Sequence, residues 1–594
     1  MRNLIKNESI KLYRQTGYKV LAIIILVIAI LLPVGQFALN LFMDWASGIY
    51  SPEEQYEEYL EIAEDYGERY QEEGDLDFLM WQTDYLADAE TIKFFLDHDL
   101  AEDWKYRMFY GDLYTDLLTQ AYYGLLAEEQ VSYDELDDGG YAYLIQSDLQ
   151  ESLTGEDPET SDDSEVFPEI DYTRVSWRAE YNRKQTEVQE SKDYILECTS
   201  RVILEDILES ARNGLAEVEA ERDNKKAVME AAKRSYESGV GTLYDYEYAQ
   251  YQYEIAEADI RCEEVYLWGC QLLYDQACEP DSWQYGLVTT ALWSNASTYY
   301  RSCVVMPETV WRNMDGPDDD YGAYRESVAE EADNSVEHDL LLATTYALEH
   351  DVAPSALLEN SPKSTFRDFF GVIMGLISIF MIVMMGMIVA NEYSSGTIRL
   401  LVIRPKKRHK ILTSKILAAI LYALILMVAC GTILLALTVL FNGFGDLFVS
   451  DLYVVGDWVV ALPSVISMAI EFVLIFLGVL LRASIALFFS AVTKKAAIAI
   501  VIPMILNTYA WVAQLAGLAM AEVLPFINYT ILPYLSPEIL MTGPFEWLSG
   551  SLYGSMYGMI CNLNTVYGVF LVLLHIFVIG LGTYLIFNRQ QIKN

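Results

Sequence analysis

Two ionisable side chains, Glu471 and Arg482, stand inside the apolar run Pro463–Ser490. A charge among Ile, Leu, Phe and Val is costly unless it is paired or faces a wet cavity, so each is a functional candidate. Eleven residues apart, they lie about three helical turns from one another and nearly on one face. Their axial separation of about 16 Å is too large for a direct pair within one helix. Glu471 sits near one end of the run, where charge costs less. For Arg482, deeper in the run, two roles stand open: a bond to another helix, or a place on a translocation route. Asn507 and Gln514, on one face of the next apolar run, are polar groups it could reach. His575, in the last run, reads as a packed, hydrogen-bonded residue rather than a proton carrier.

Other chemistry is thinly represented. There is no G-x-x-x-x-G-K-[ST] phosphate loop, so this chain is not expected to bind or hydrolyse ATP, and no cofactor is expected in it. The seven cysteines show no C-x-x-C spacing, which argues against zinc and thioredoxin-type sites. Cys198, Cys262, Cys270, Cys278 and Cys303 fall in one acidic segment, where one disulfide or buried free thiols are equally open readings. Asp318-Asp319-Asp320 lacks the glycine and terminal glutamate of an EF-hand loop, so no metal site is expected. His98, His338 and His350 stand alone, and carboxylates are so abundant that chance pairs carry no catalytic meaning.

The elements around these residues follow from charge and length. A formal net charge of −47 stands beside 53% hydrophobic residues, and the conflict vanishes once the chain is divided. Residues 43–365 hold 76 Asp and Glu against 21 Lys and Arg; the rest holds ten acids and eighteen bases and is otherwise apolar. Such an acidic segment excludes nucleic acid as a partner. It keeps an exposed domain soluble, or draws a cationic ligand.

Six apolar runs reach the roughly 20 residues that a bilayer core demands: Val20–Phe42, Phe369–Ala390, Ile416–Phe441, Pro463–Ser490, Ala496–Leu518 and Thr565–Phe587. Arg2, Lys6, Lys11, Arg14 and Lys19 precede the first, where Leu4, Ile5, Leu12 and Tyr13 suggest a short interfacial helix. Residues 391–415 carry seven bases, Lys494 and Lys495 two, and the tail Arg589 and Lys593. The loops 442–458 and 517–564 carry none. That alternation places both termini in the cytoplasm of a cell membrane and 43–365 outside. Residues 517–564, rich in proline yet apolar, are expected to form re-entrant or interfacial helices over the outer end of the bundle, or an ordinary outer loop. The expected fold is all-α: a six-helix bundle (1–42 and 366–594) with a helical outer domain (43–365).

Residues 391–415 hold more than orientation requires. Glu392, Gly396 and Thr397 are followed by an amphipathic stretch with Ile398, Leu401 and Val402 on one side, stopped at Arg404-Pro405, and then by Arg408 and Lys415. Glu-x-x-x-Gly-Thr, a few apolar residues, Pro-x-x-Arg and a later Lys resemble the coupling region of ABC-2-type transporter permeases. The resemblance covers the first span and about 366–594 and does not reach the acidic segment. It implies that this loop docks on a separate ATP-binding subunit, which would bring the ATP and Mg. It also implies that the permease pairs with a second copy or a homologous permease around a translocation route in the lipid bilayer, exporting or extracting a substrate.

The acidic segment reads as helices near 51–73, 76–130 and 176–280, with an exposed loop at Gly155–Asp163 and a break at Gly316-Pro317. Within it, about 203–278 shows two equal arms of helical periodicity around Gly239-Val240-Gly241, an antiparallel coiled-coil hairpin about 50 Å long. Some thirty residues there, including Gly239, Gly241, Thr242 and Asp245, are similar to the helical turns of TolC-like outer-membrane channels, a shared way of turning a coiled coil. A peptide or lipid-like substrate and an unknown outer partner both fit this layout. The rival reading is a bacterial surface receptor whose spans anchor or signal.

Overall fold

A computed structural model of the chain describes residues 2–46, 51–138, 141–154, 170–314, 320–354, 362–394, 408–548, 556–561 and 563–589. The fold is almost wholly helical, and six helices are long and apolar enough to cross a membrane: Thr16–Leu39, Thr365–Ser394, Lys410–Asn442, Ser464–Thr493, Ala496–Ala521 and Thr565–Arg589. These spans 1–6 coincide with the six apolar runs of the sequence. By contacts the chain divides into two compact units, one of Met1–Phe42, Ala211–Leu272 and Leu287–Asn594, the other of Met43–Ser210 and Leu273–Gly286.

In the first unit span 2 is the most enclosed helix, packed by spans 3, 4 and 5. Its buried face, Ile373, Ile377, Phe380, Met381 and Met384, meets Ala419 and Ala423 of span 3 and Val479 and Ala483 of span 4. Small residues set the closest approaches. A Cβ on Gly386 would stand 2.9 Å from the Ala499 carbonyl oxygen of span 5. Beside it, Ser490 Oγ of span 4 donates to Gly386 O (2.6 Å) and accepts from the Ala390 N–H (3.0 Å). Spans 1, 5 and 6 leave most of their apolar surface outward, as lipid-facing helices do.

The loop 442–458 is not a plain loop. Among the described residues the only sheet is a hairpin, β1 (Ser450–Val455) and β2 (Trp458–Pro463), turned on Gly456-Asp457. Gly456 takes φ +59°, which favours glycine there. The helix Val336–His350 packs on both strands, and its Asp339 accepts a 2.7 Å bond from the Tyr557 hydroxyl. Burial first, then that carboxylate, hold the Tyr557 phenol well above its ordinary range. Residues 525–548 form short 3-10 turns and one helical turn, packed on spans 4, 5 and 6.

The helices Ser200–Glu237 and Leu243–Gln276 run back along one another, since Arg212 bonds Gln271, Arg222 bonds Glu257 and Lys225 bonds Gln252. Gly239 turns the chain at φ +77°, and a Cβ on Gly241 would stand 2.8 Å from Ser235 Oγ. Thr242 and Asp245 then cap the second helix reciprocally. No disulfide joins the cysteines; burial pushes the Cys262 thiol up to about 12 and the Cys270 thiol up to about 11, so both stay protonated.

In the second unit the stretch read as 76–130 is two helices, Leu76–Asp97 and Trp104–Ala127, because Asp99 takes φ +58° and Asp103 caps the second. The core holds Phe95, Leu113, Tyr122, Tyr123, Leu136 and Ile145. Its half-buried carboxylates come in two kinds. Asp148 binds Lys184 (2.8 Å), Arg183 and the Tyr123 hydroxyl. Among the described residues Asp84 receives the Tyr122 hydroxyl (2.5 Å) and no cation. Burial raises both carboxyls; at Asp148 Lys184 and the bonding groups outweigh it and hold the carboxyl below its usual range, whereas Asp84 stays above it.

Candidate functional site

The basic loop is closed at its base. Glu392 lies in the last turn of the helix Pro362–Ser394 and Lys415 in the second turn of the helix Arg408–Asn442, and the two side chains form an ion pair. The pair brings the first and last sequence-chosen residues of 391–415 together. Gly396, Thr397, Arg404 and Pro405 lie outside the described residues, as does the amphipathic stretch 398–403. Arg408 opens the helix of span 3, but its side chain is not described. Next to this base Lys494, in the turn between spans 4 and 5, stands 4.9 Å from the Tyr393 ring centroid.

Halfway along the bundle Arg482 donates to Ser536 Oγ (2.6 Å) and to Leu535 O (3.3 Å). Gln514 of span 5 donates to Pro533 O (2.9 Å) and Ser536 O (3.2 Å). The two side chains therefore converge on one segment of short 3-10 turns rather than on each other. Backbone carbonyls inside an apolar bundle need donors, and these two residues supply them. Gly478 admits the segment: a Cβ there would stand 3.1 Å from Pro537 Cδ. Asn507 is engaged elsewhere, accepting from Ser378 of span 2 (2.8 Å). His575 Nδ1 donates to Leu571 O (2.8 Å), since a carbonyl can only accept.

Glu471 belongs to a third cluster, at the opposite end of the bundle from Lys415. Arg367, at the start of span 2, meets Glu471 at 2.7 Å and also pairs with Glu546. One turn earlier Lys363 meets Asp451 of β1 at 2.5 Å, and Asp451 accepts from Ser464 Oγ (3.1 Å) and from Ser467. Lys363, Arg367, Asp451 and Glu546 escaped the sequence reading. A signal was present: two bases four residues apart abut span 2 on the side whose other loops are base-free, and such bases call for carboxylate partners. Among the described residues no group of His, Cys, Asp and Glu could hold a metal ion.

These side chains pin the membrane bundle with ion pairs at both ends, one of them joining the two ends of the basic segment 391–415. No curated protein and no solved structure matches the chain, but the family described as ABC-2 family transporter protein matches residues 142–592. The match reaches well into the acidic segment, further than the resemblance of the basic loop and the spans. This multi-pass membrane chain therefore belongs to the ABC-2 family of transporter proteins.

Proposed function

We propose that this chain is a permease that exports or extracts a substrate, driven by a separate ATP-binding subunit that docks on residues 391–415. The observation carrying the reading is the Glu392–Lys415 pair, which clasps the two ends of a loop with seven bases. A docking loop must transmit force to the spans, and a clasp at its base couples it to spans 2 and 3 at once. In this reading both termini are cytoplasmic, residues 43–365 lie outside the cell membrane, and two permease units pair around the route. ATP and Mg belong to the partner subunit. The substrate is of peptide or lipid-like class, because the acidic outer segment favours cationic groups and the spans favour apolar ones.

Purification of the intact chain from its native cells tests this. An ATP-binding-cassette subunit should co-purify, and Glu392→Gln or Arg408→Glu should weaken that association at unchanged membrane insertion. Purification with no ATPase would instead favour a surface receptor anchored by its spans.

A further inference from the structure

Among the described residues, the end of the bundle that holds the Glu392–Lys415 pair leaves a space. A cavity of about 130 Å³ opens between the N-terminal helix Arg2–Arg14, the start of span 1 and the facing ends of spans 2 and 3. Its wall includes Glu8, Lys11, Tyr18, Asn391, Glu392 and Lys415. That is room for several waters or for one small polar group.

The wall carries two carboxylates and two ammonium groups. Glu8 is only 7% exposed, yet the partner of its carboxylate is Lys11 at 2.8 Å, whose side chain is 57% exposed. A buried carboxylate tied to a long, solvated lysine gains from any further cation that enters beside it. Balanced charge of both signs around one cavity suits a zwitterion better than a simple anion or cation.

The cavity's place says where such a zwitterion comes from. It lies at the ends of three spans, beside a helix that carries Arg2, Lys6, Lys11 and Arg14 and leaves Ile10 and Tyr13 exposed. A basic helix with outward apolar residues lies in the headgroup layer. Phospholipid headgroups are the zwitterions there. A primary ammonium donates three hydrogen bonds and can satisfy carboxylates; a quaternary ammonium donates none. An anionic headgroup would meet the lysines but leave Glu8 and Glu392 facing like charge.

We propose that this cavity binds the phosphoethanolamine group of a membrane phospholipid, its ammonium received by Glu8 and Glu392 and its phosphate by Lys11 and Lys415. The occupant ties the N-terminal helix to both ends of the basic loop. Binding is independent of transport and of any ATPase, so it stands or falls apart from the function proposed above.

Native mass spectrometry of the intact chain tests it, with equal amounts of phosphatidylethanolamine, phosphatidylcholine and phosphatidylglycerol of the same acyl chains. The ethanolamine lipid should form adducts about tenfold more abundant than either other lipid, a difference of about 1.4 kcal/mol. Glu8→Gln should remove most of that preference. Lys11→Gln, which removes the charge but keeps a hydrogen-bond donor at an exposed side chain, should do the same through the phosphate. Soluble glycerophosphoethanolamine should bind far more weakly than the lipid; equal binding would overturn the membrane as the source. Equal adducts of the three lipids, a preference for phosphatidylglycerol, or an ethanolamine preference untouched in both variants would overturn the proposal.

Discussion

The two ends of the bundle hold their carboxylates in different ways. At the Arg367 end, Asp451, Glu471 and Glu546 are closed on Lys363 and Arg367, with serine hydroxyls filling in around Asp451. At the Lys415 end, Glu8 and Glu392 each have a lysine, but Lys11 reaches out to solvent and a cavity separates the pairs. The first arrangement is a fixed joint between span 2, span 4, β1 and the segment around Glu546. The second leaves its charges able to exchange partners. In the permease proposed above, that asymmetry would give the bundle something to work against at one end and something that can move at the other.

The contrast breaks most visibly at Arg367. Arg367→Met leaves the buried Glu471 and the half-buried Glu546 without their shared cation and should cost about 3–5 kcal/mol, seen as a large fall in the melting temperature of the detergent-solubilised protein. Replacing Arg367 and Glu471 together by Met and Leu should recover part of that loss. Gln514→Leu should cost about 1–3 kcal/mol, because Pro533 O and Ser536 O lose a donor inside the bundle. At the other end, Glu392→Gln should shift stability by only about 0–1 kcal/mol, as partly exposed pairs do. Its effect should fall on ATPase association instead.

The smallest effects belong to the second unit, where one carboxylate has a cation and another has a phenol. Asp84, held by a phenol, has its carboxyl raised, mainly by burial. A raised folded value means that its contribution is present at low pH and is lost as pH rises through that value. At neutral pH the ionised form therefore costs stability, and Asp84→Asn should raise the melting temperature slightly, within about 1 kcal/mol. The gain should vanish at the acid end, where Asp84 is protonated in both states. Asp148, whose carboxyl is lowered, should behave oppositely. Its contribution is present above the unfolded value and lost as pH falls through the folded one, so Asp148→Asn should destabilise at pH 7 and matter less in acid.

The spans were readable because a bilayer imposes length and charge rules that one sequence displays. Val20–Phe42 announces a helix even around Pro33, which the helix Thr16–Ala46 accommodates. Glu471 and Arg482 announce themselves as charges out of place. Their partners did not, because Arg367, Glu546 and Ser536 become neighbours only through packing between segments far apart in the chain. The strands β1 and β2 were missed for another reason. Tyr453-Val454-Val455 and Trp458-Val459-Val460 flank Gly-Asp, a hairpin signal, but six-residue strands between two long apolar helices read as part of a loop. The turn at Gly239 was legible because it is local, with a glycine where φ must be positive followed by a threonine and an aspartate that start a helix.

The unit built from Met43–Ser210 and Leu273–Gly286 has a consequence during synthesis. Its last fourteen residues follow its first part only after 62 residues that belong to the other unit. At the usual 5–20 residues per second, the ribosome needs about 3–12 s to make that insert. For that interval the larger piece must wait, unfinished, with span 1 already made and span 2 not yet begun.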